Sequence, residues 1–91
     1  MKKLFLHLGG EKAVSIKNII AIMDMETSSV SNITKEYLKE AEMAGDIINI
    51  SFEDLPKSYV ICNENNQRKV YISPISSATL LKRANSAEIF K

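Results

Sequence analysis

The 91-residue sequence has few of the residues on which disulfide scaffolds, metal centres and membrane spans depend. It contains one cysteine, Cys62, and one histidine, His7, so neither an intrachain disulfide nor a cysteine-histidine zinc cluster can form. Its longest apolar run, residues 19–23, is far shorter than the roughly 18 residues that indicate a membrane-spanning helix. The apolar stretch after the N-terminal lysines is too brief for a signal peptide. We therefore expect a reduced, cytoplasmic protein that does not enter a membrane.

The sequence also lacks a recognisable catalytic set. His7 lies in an alternating apolar segment with no nearby carboxylate to orient it. The serines do not occur in a GxSxG motif, and the glycine pair that follows His7 lacks the spacing of a phosphate-binding loop. Glu36, Glu40 and Glu42 alternate with lysines, as on an exposed helix face. We predict no enzymatic activity, no catalytic residues, no metal site and no cofactor.

Short segments rich in leucine, β-branched and aromatic residues predict an α+β fold with a small, mostly antiparallel sheet. The predicted strands are residues 3–8, 12–16, 19–25, 46–52, 58–62 and 69–73. Gly9 and Gly10 turn the first two into a hairpin, and the polar run 63–67 joins the last two into another. Cys62 is expected to be a buried, unreactive side chain of this sheet.

Helical periodicity predicts one longer helix over residues 30–44. Its apolar face is made by Val30, Ile33, Tyr37, Leu38, Ala41 and Ala44. One of Ser28, Ser29 and Ser31 is expected to cap the N-terminus, and Gly45 is expected to end the helix.

A second, short helix is expected after Pro74, capped by Ser76 or Ser77 and extending to about Ala84. Its core-facing residues are predicted to be Leu80, Leu81 and Ala84. Residues 85–91 are expected to form a loosely held tail, so that residues 1–91 make one domain.

The charges are unevenly distributed although the net charge is only +1. Residues 1–23 carry four lysines against one acid (+3), residues 24–54 two lysines against eight acids (−6), and residues 55–91 six basic residues against two acids (+4). Basic side chains can position a phosphate backbone without reading its sequence. The candidates for such contacts are Lys17, Lys57, Lys82, Arg83, Arg68 and Lys69. One protomer offers few contacts, so effective binding would need repetition in an oligomer.

The segments LHLGG, VSIKNIIAIMD, PKSYV and YISPISSATLLKRA resemble the RemA and RemB family of bacterial regulators of extracellular matrix genes, and most closely its RemB (YaaB-like) branch. The resemblance implies a domain similar to the LytTR DNA-binding fold, assembly into rings and, for the RemA branch, DNA binding. The RemA branch has an arginine at the position of Asn18, whereas here the neighbouring Lys17 is basic. A basic pair of that branch falls in the loop EDLPKS, where Glu53 and Asp54 leave only Lys57.

Two functional hypotheses follow. The first is an oligomeric, DNA-binding regulator of matrix and biofilm genes that contacts phosphates mainly through Lys17 and Lys57, with Lys82 and Arg83 next. The alternative is an oligomeric module that does not bind DNA and recognises a protein partner through the acidic helix 30–44. Loss of the RemA-type arginines favours the alternative.

Overall fold

The computed structural model describes residues 4–25, 32–51 and 54–89, with side chains described up to residue 85 in the last stretch. The strands are β1 (Phe5–Gly9), β2 (Lys12–Ser15), β3 (Ile19–Asp24), β4 (Ile47–Asn49), β5 (Ser58–Glu64) and β6 (Gln67–Ser73). The helices in these ranges are α1 (Asn32–Met43) and α2 (Ser77–Ile89), and Ile16–Asn18 form a 3-10 turn. The predicted α+β class is confirmed.

Four strands form a sheet in the order β3-β5-β6-β4, and β1 and β2 form a separate hairpin. All pairs are antiparallel except β4 with β6, which run parallel. The β5-β6 hairpin turns at Asn65 and Asn66, both with positive φ, as a two-residue hairpin turn requires. The predicted hairpins are therefore confirmed, with a tighter second turn than the polar run suggested.

The first face of the four-stranded sheet carries the larger core. Val60, Cys62 and Tyr71 point to this face and are no more than 1% exposed. The hairpin and α2 cover them with Leu6, Leu8, Val14 and Leu80. Ser73 Oγ also donates a hydrogen bond to the Leu8 carbonyl and so ties the hairpin to the sheet. As predicted, Cys62 is buried.

The second face of the sheet is covered by α1. Ile61 and Val70, which alternate with the residues of the first face, pack against Ala41. Tyr37 and Leu38 are only partly buried against this cluster. The sheet thus lies between α1 on one side and the hairpin with α2 on the other.

Gly45 ends α1 as predicted. Its φ of 76° places it in the left-handed region, its N–H donates to Glu42, and the next N–H, of Asp46, donates to Ala41. This pattern satisfies the last helical carbonyls. The predicted start of the helix at Val30 and its serine caps lie outside the described residues.

Three predictions about side-chain burial in the helices are wrong. Leu81 is 46% exposed, because one position away from the buried Leu80 a helix turns by about 100°. Ile33 is 81% exposed and Ala44 is also exposed, so only the middle of α1 meets the sheet.

Two element lengths also differ from prediction. The second helix is not short: α2 has 13 residues and continues to Ile89, through most of the predicted tail. No glycine or proline interrupts residues 84–89, so nothing local stops the helix. Conversely, β4 has three residues, Ile47–Asn49, because the Asn49 side chain turns back to accept bonds from the Ser51 backbone and hydroxyl.

Within the described part of the chain, neither helix is long and apolar enough to cross a lipid bilayer.

Candidate functional site

Lys17 lies in the middle of the 3-10 turn that connects the β1-β2 hairpin to the four-stranded sheet. The turn is anchored on both sides, since Ile16 and Ile19 pack against the larger core and Ile16 N–H donates to Leu4 at 2.9 Å. Ile19 N–H donates back to Ile16, which closes the turn. The Lys17 side chain is exposed. A rigid backbone therefore presents this lysine to solvent.

Lys57 is held at the opposite end of the sheet, directly before β5. Its N–H donates to Ser73 at 2.8 Å, and its carbonyl accepts from Met25 N–H at 3.0 Å. Its exposed side chain borders a cavity of about 390 Å³. The other residues that line the cavity are Asp24, Met25, Pro56, Ser76, Ser77 and Ala78.

The first turn of α2 forms one wall of the Lys57 cavity. Ser76 is the N-cap, as predicted: its Oγ accepts from Thr79 N–H at 3.2 Å and lies 2.9 Å from Thr79 Oγ1. The N-terminus of a helix carries a partial positive charge. Lys57 and this helix end therefore both favour an anion at the same edge of the sheet.

Lys17 and Lys57 do not form one cluster. The register of β3 with β5 places Ile19 opposite Cys62 and Asp24 opposite Ser58, so the two lysines flank opposite ends of this strand pair. The segment of β3 from Ile19 to Asp24, five residue steps, is roughly 16 Å long and separates the Lys17 turn from the Lys57 loop.

Arg68 has its charge engaged within the protein. Its Nε lies 2.9 Å from Asp46 Oδ2, and its guanidinium stacks over the Tyr37 ring at 5.1 Å. The hydrogen bond with Asp46 raises the pKa of Arg68. Lys69 is next to it on β6, is half-buried, and lies opposite Cys62. Arg68 therefore links α1, the loop after it and the sheet.

Lys82 and Arg83 are exposed on α2, between the buried Leu80 and the half-buried Ala84. They were expected to close the helix, but α2 continues to Ile89, so both lie in its middle. They belong to the same side of the sheet as the hairpin, whereas Arg68 contacts α1.

Two buried titratable side chains, Cys62 and Tyr71, have raised pKa values. Burial, and secondarily the Glu64 carboxylate, raises the pKa of the Cys62 thiol to about 11, which disfavours the nucleophilic thiolate. Burial and a 3.0 Å hydrogen bond to Glu64 raise the pKa of Tyr71, whose ring also contacts Lys12 Nζ at 5.1 Å. Exposed His7 donates from Nε2 to Gly10 at 2.7 Å. Among the described side chains, those of residues 4–25, 32–51 and 54–85, no group of three metal-ligating side chains converges.

An apolar groove on the α1 side was not predicted. It has a volume of about 230 Å³ and is lined by Ile20, Met23, Ile33, Thr34, Tyr37 and Ile61. Ile20 and Ile33 are 65% and 81% exposed. The isoleucine-rich segment 19–22 is the one feature of the sequence that indicates an apolar surface here. Hydrophobic periodicity alone would instead place Ile20 and Ile33 in the core.

Comparison with known proteins gives two consistent results. The family model described as RemA-like, extracellular matrix regulatory protein A-like, matches residues 5–84. The chain is also similar to extracellular matrix regulatory protein B of Bacillus subtilis (strain 168), with 36% identity over 81 residues, which cover 89% of this chain and 90% of that protein. The matched region contains all six strands, α1, and both the Lys17 turn and the Lys57 loop. The chain therefore belongs to the RemA-like family of extracellular matrix regulatory proteins.

Proposed function

We propose that this protein is a non-enzymatic, cytoplasmic regulator of extracellular matrix and biofilm genes that binds DNA as a homo-oligomer. Lys17 and Lys57 contact the phosphate backbone in this proposal. The observation that carries it is that both lysines are exposed and lie on backbone held by hydrogen bonds at opposite ends of the β3-β5 pair, on a chain of the RemA-like family. A LytTR-like mode of DNA binding is part of the same proposal and follows from the family resemblance.

The remaining basic candidates differ in how available their charges are to an anionic ligand. Lys82 and Arg83 are exposed and available to an anionic partner. Arg68 is already paired with Asp46, and the half-buried Lys69 is its neighbour, so both rank below the other candidates. The exposed Asp54 lowers the positive potential near Lys57, and Glu53 lies outside the described residues.

Self-association supplies the affinity that one protomer lacks. Each neutralised phosphate contributes a slope of about −0.9 to log K against log salt, so two lysines give about −1.8. Raising salt from 50 to 200 mM would then weaken a monomer about twelvefold. Several linked protomers multiply the number of contacts, which makes a ring-like homo-oligomer a suitable DNA-binding unit.

The test is fluorescence anisotropy with a generic duplex and with promoter DNA of matrix genes. We expect Lys17→Glu and Lys57→Glu each to weaken binding at least tenfold at low salt while oligomer size stays constant. Lys39→Glu is the matched control, because Lys39 is also exposed but lies on α1, and its variant should bind DNA nearly as wild type does. Equal affinity of all four proteins would contradict the assignment of Lys17 and Lys57.

A second candidate function is an interaction module that recognises a protein through the α1 side and does not bind DNA. The exposed groove between α1 and β3 favours it. In that case Glu40→Lys should abolish binding of the partner, and the two lysine variants should leave it intact.

A further inference from the structure

We propose that Leu55, in the loop directly before β5, is an apolar wedge that enters the minor groove of bound DNA and partly unstacks a base step. This inference rests on the proposed function, because it names a second kind of contact made by the loop that carries Lys57. Lysines on the phosphate backbone give affinity for any duplex, whereas a wedge favours duplexes that bend easily. Leu55 would therefore determine which DNA the protein prefers.

The Leu55 side chain is free of the protein core. It is 80% exposed, and Pro56 and Lys57, which follow it, are exposed as well. Neither of the two apolar clusters formed by the described residues includes Leu55. Single exposed leucines are common on protein surfaces, but this one is held in place beside a cation. The leucine can therefore contact a partner without any loss of core packing.

The backbone holds Leu55 between two hydrogen-bonded positions. On one side, the Asp54 N–H donates to the Ser51 carbonyl at 2.8 Å. On the other side, the Lys57 N–H donates to a β6 carbonyl at 2.8 Å. Pro56 has a fixed φ and confines the residue before it to extended conformations. Because this segment is already ordered, Leu55 can be pressed against a ligand at little further cost in conformational entropy.

The neighbours of Leu55 favour DNA as its partner. Two residues of extended chain span at most roughly 7 Å, so a duplex whose phosphates contact Lys57 also lies close to Leu55. Leucine and proline are among the side chains that proteins insert between base steps from the minor groove. The exposed Asp54 disfavours a further phosphate contact on the other side of Leu55. What this part of the loop can add to the lysine contact is therefore apolar.

Base unstacking can be measured with a duplex of repeated TA steps in which 2-aminopurine replaces several adenines, because the fluorescence of this base rises when it leaves the stack. TA steps are flexible and are easily kinked. We expect saturating wild-type protein to raise the fluorescence about twofold or more, and Leu55→Ala to raise it less than about half as much. Leu55→Met should retain most of the rise, since methionine also acts as a wedge.

Binding affinity separates the wedge from the lysine contact. On the TA duplex, Leu55→Ala should weaken binding about fivefold, whereas on an A-tract of the same length it should change little, because A-tracts are stiff. Its salt slope should equal that of the wild type on both duplexes, because no phosphate contact is lost. Lys57→Glu should instead weaken binding to both duplexes and give a shallower salt slope.

Met43→Ala is the matched control. Met43 is 79% exposed, much like Leu55, but it is the last residue of α1 and lies in neither the Lys17 turn nor the Lys57 loop. Its variant should bind both duplexes and raise the fluorescence as wild type does. Both alanine substitutions are at exposed positions, so circular dichroism and sedimentation should report unchanged secondary structure and oligomer size.

The outcomes separate this inference from the proposed function. If Leu55→Ala binds the TA duplex and raises its fluorescence as much as wild type does, the wedge is overturned while the phosphate-contact proposal stands. If Leu55→Ala weakens binding to the TA duplex and the A-tract equally, the leucine contacts DNA without entering the stack, and the wedge is again overturned. If the wild type binds neither duplex at low salt, the proposed function fails and this inference fails with it.

Discussion

The two faces of the four-stranded sheet differ in how completely their apolar side chains are buried. On the hairpin side, Leu8, Leu80 and Tyr71 are at most 1% exposed, although Phe5 and Leu81 at the periphery remain 57% and 46% exposed. On the α1 side, Ala41 is buried but Ile33 at the start of the same helix is 81% exposed. The hairpin side therefore buries the larger apolar cluster and is expected to contribute more to the folding free energy. The α1 side retains an exposed apolar groove at Ile20 and Ile33.

The largest contrast is expected between Leu80→Ala and Ile33→Ala. Removing a fully buried leucine side chain costs about 3 kcal/mol, whereas truncating an exposed isoleucine changes the free energy of unfolding by about 0.5 kcal/mol or less. Urea unfolding should be measured at low protein concentration and repeated at a higher one, because any self-association would itself stabilise the fold. A similar loss of stability in both variants would show that α1 is as tightly packed as α2.

The next contrast compares two glycines with positive φ. Gly9, at φ 132°, lies where an added Cβ would be 2.9 Å from Pro74 Cδ, whereas the Cβ position of Gly45, at φ 76°, has no atom within 4 Å. Gly45→Ala should cost about 1 kcal/mol from backbone strain alone, and Gly9→Ala about 1 to 3 kcal/mol more. Equal urea midpoints for the two variants would contradict tight packing between the hairpin and Pro74.

Alkaline pH should lower the stability of the protein through the titratable side chains that are buried on the hairpin side. The pKa of Cys62 is about 11 in the folded protein against 9.0 for an unperturbed thiol. Because the folded state holds the proton more tightly, this contribution to stability is complete below pH 9 and is lost as the pH rises from about 9 to about 11. Tyr71, whose pKa is also raised, acts in the same direction. Urea midpoints between pH 8 and 10.5 should fall less steeply for Cys62→Ala, and parallel curves would contradict burial of the thiol.

The smallest effect is expected for the ion pair on the α1 side. Arg68 and Asp46 are each 29% exposed in their side chains, so solvent and salt screen their attraction. Arg68→Met should lower the urea midpoint less than Leu80→Ala or Gly9→Ala does. Adding 0.5 M salt should weaken the wild type toward the variant. A double-mutant cycle with Asp46→Asn measures the pair itself, and a coupling unaffected by salt would contradict this interpretation.

The sequence predicts those elements that local chemistry determines. Alternation in β1 separates buried Leu6 and Leu8 from exposed Phe5, and the Ser76 cap and the Gly45 stop are both confirmed. Each of these features depends on side chains within a few residues of one another. The family was also recognisable, because the resemblance extends over nearly the whole chain.

The features that depend on distant contacts were not predictable. The parallel pairing of β4 with β6 is set by how α1 crosses the sheet, and no local pattern specifies it. The pairing of Arg68 with Asp46 joins positions 22 residues apart, so Arg68 looked like any surface cation in the sequence. Exposure of Ile33 and Leu81 depends on where each helix meets the sheet, which hydrophobic periodicity does not determine.

The most direct test of the proposed function is the salt dependence of wild-type binding to a generic DNA duplex. If Lys17 and Lys57 act in a repeated assembly, log K should fall linearly with log salt, with a slope several times steeper than the roughly −1.8 available to one protomer. A slope of about −1.8 or shallower would contradict multivalent phosphate contact. Absence of binding at low salt would contradict DNA as the partner and favour the protein-interaction function of the α1 side.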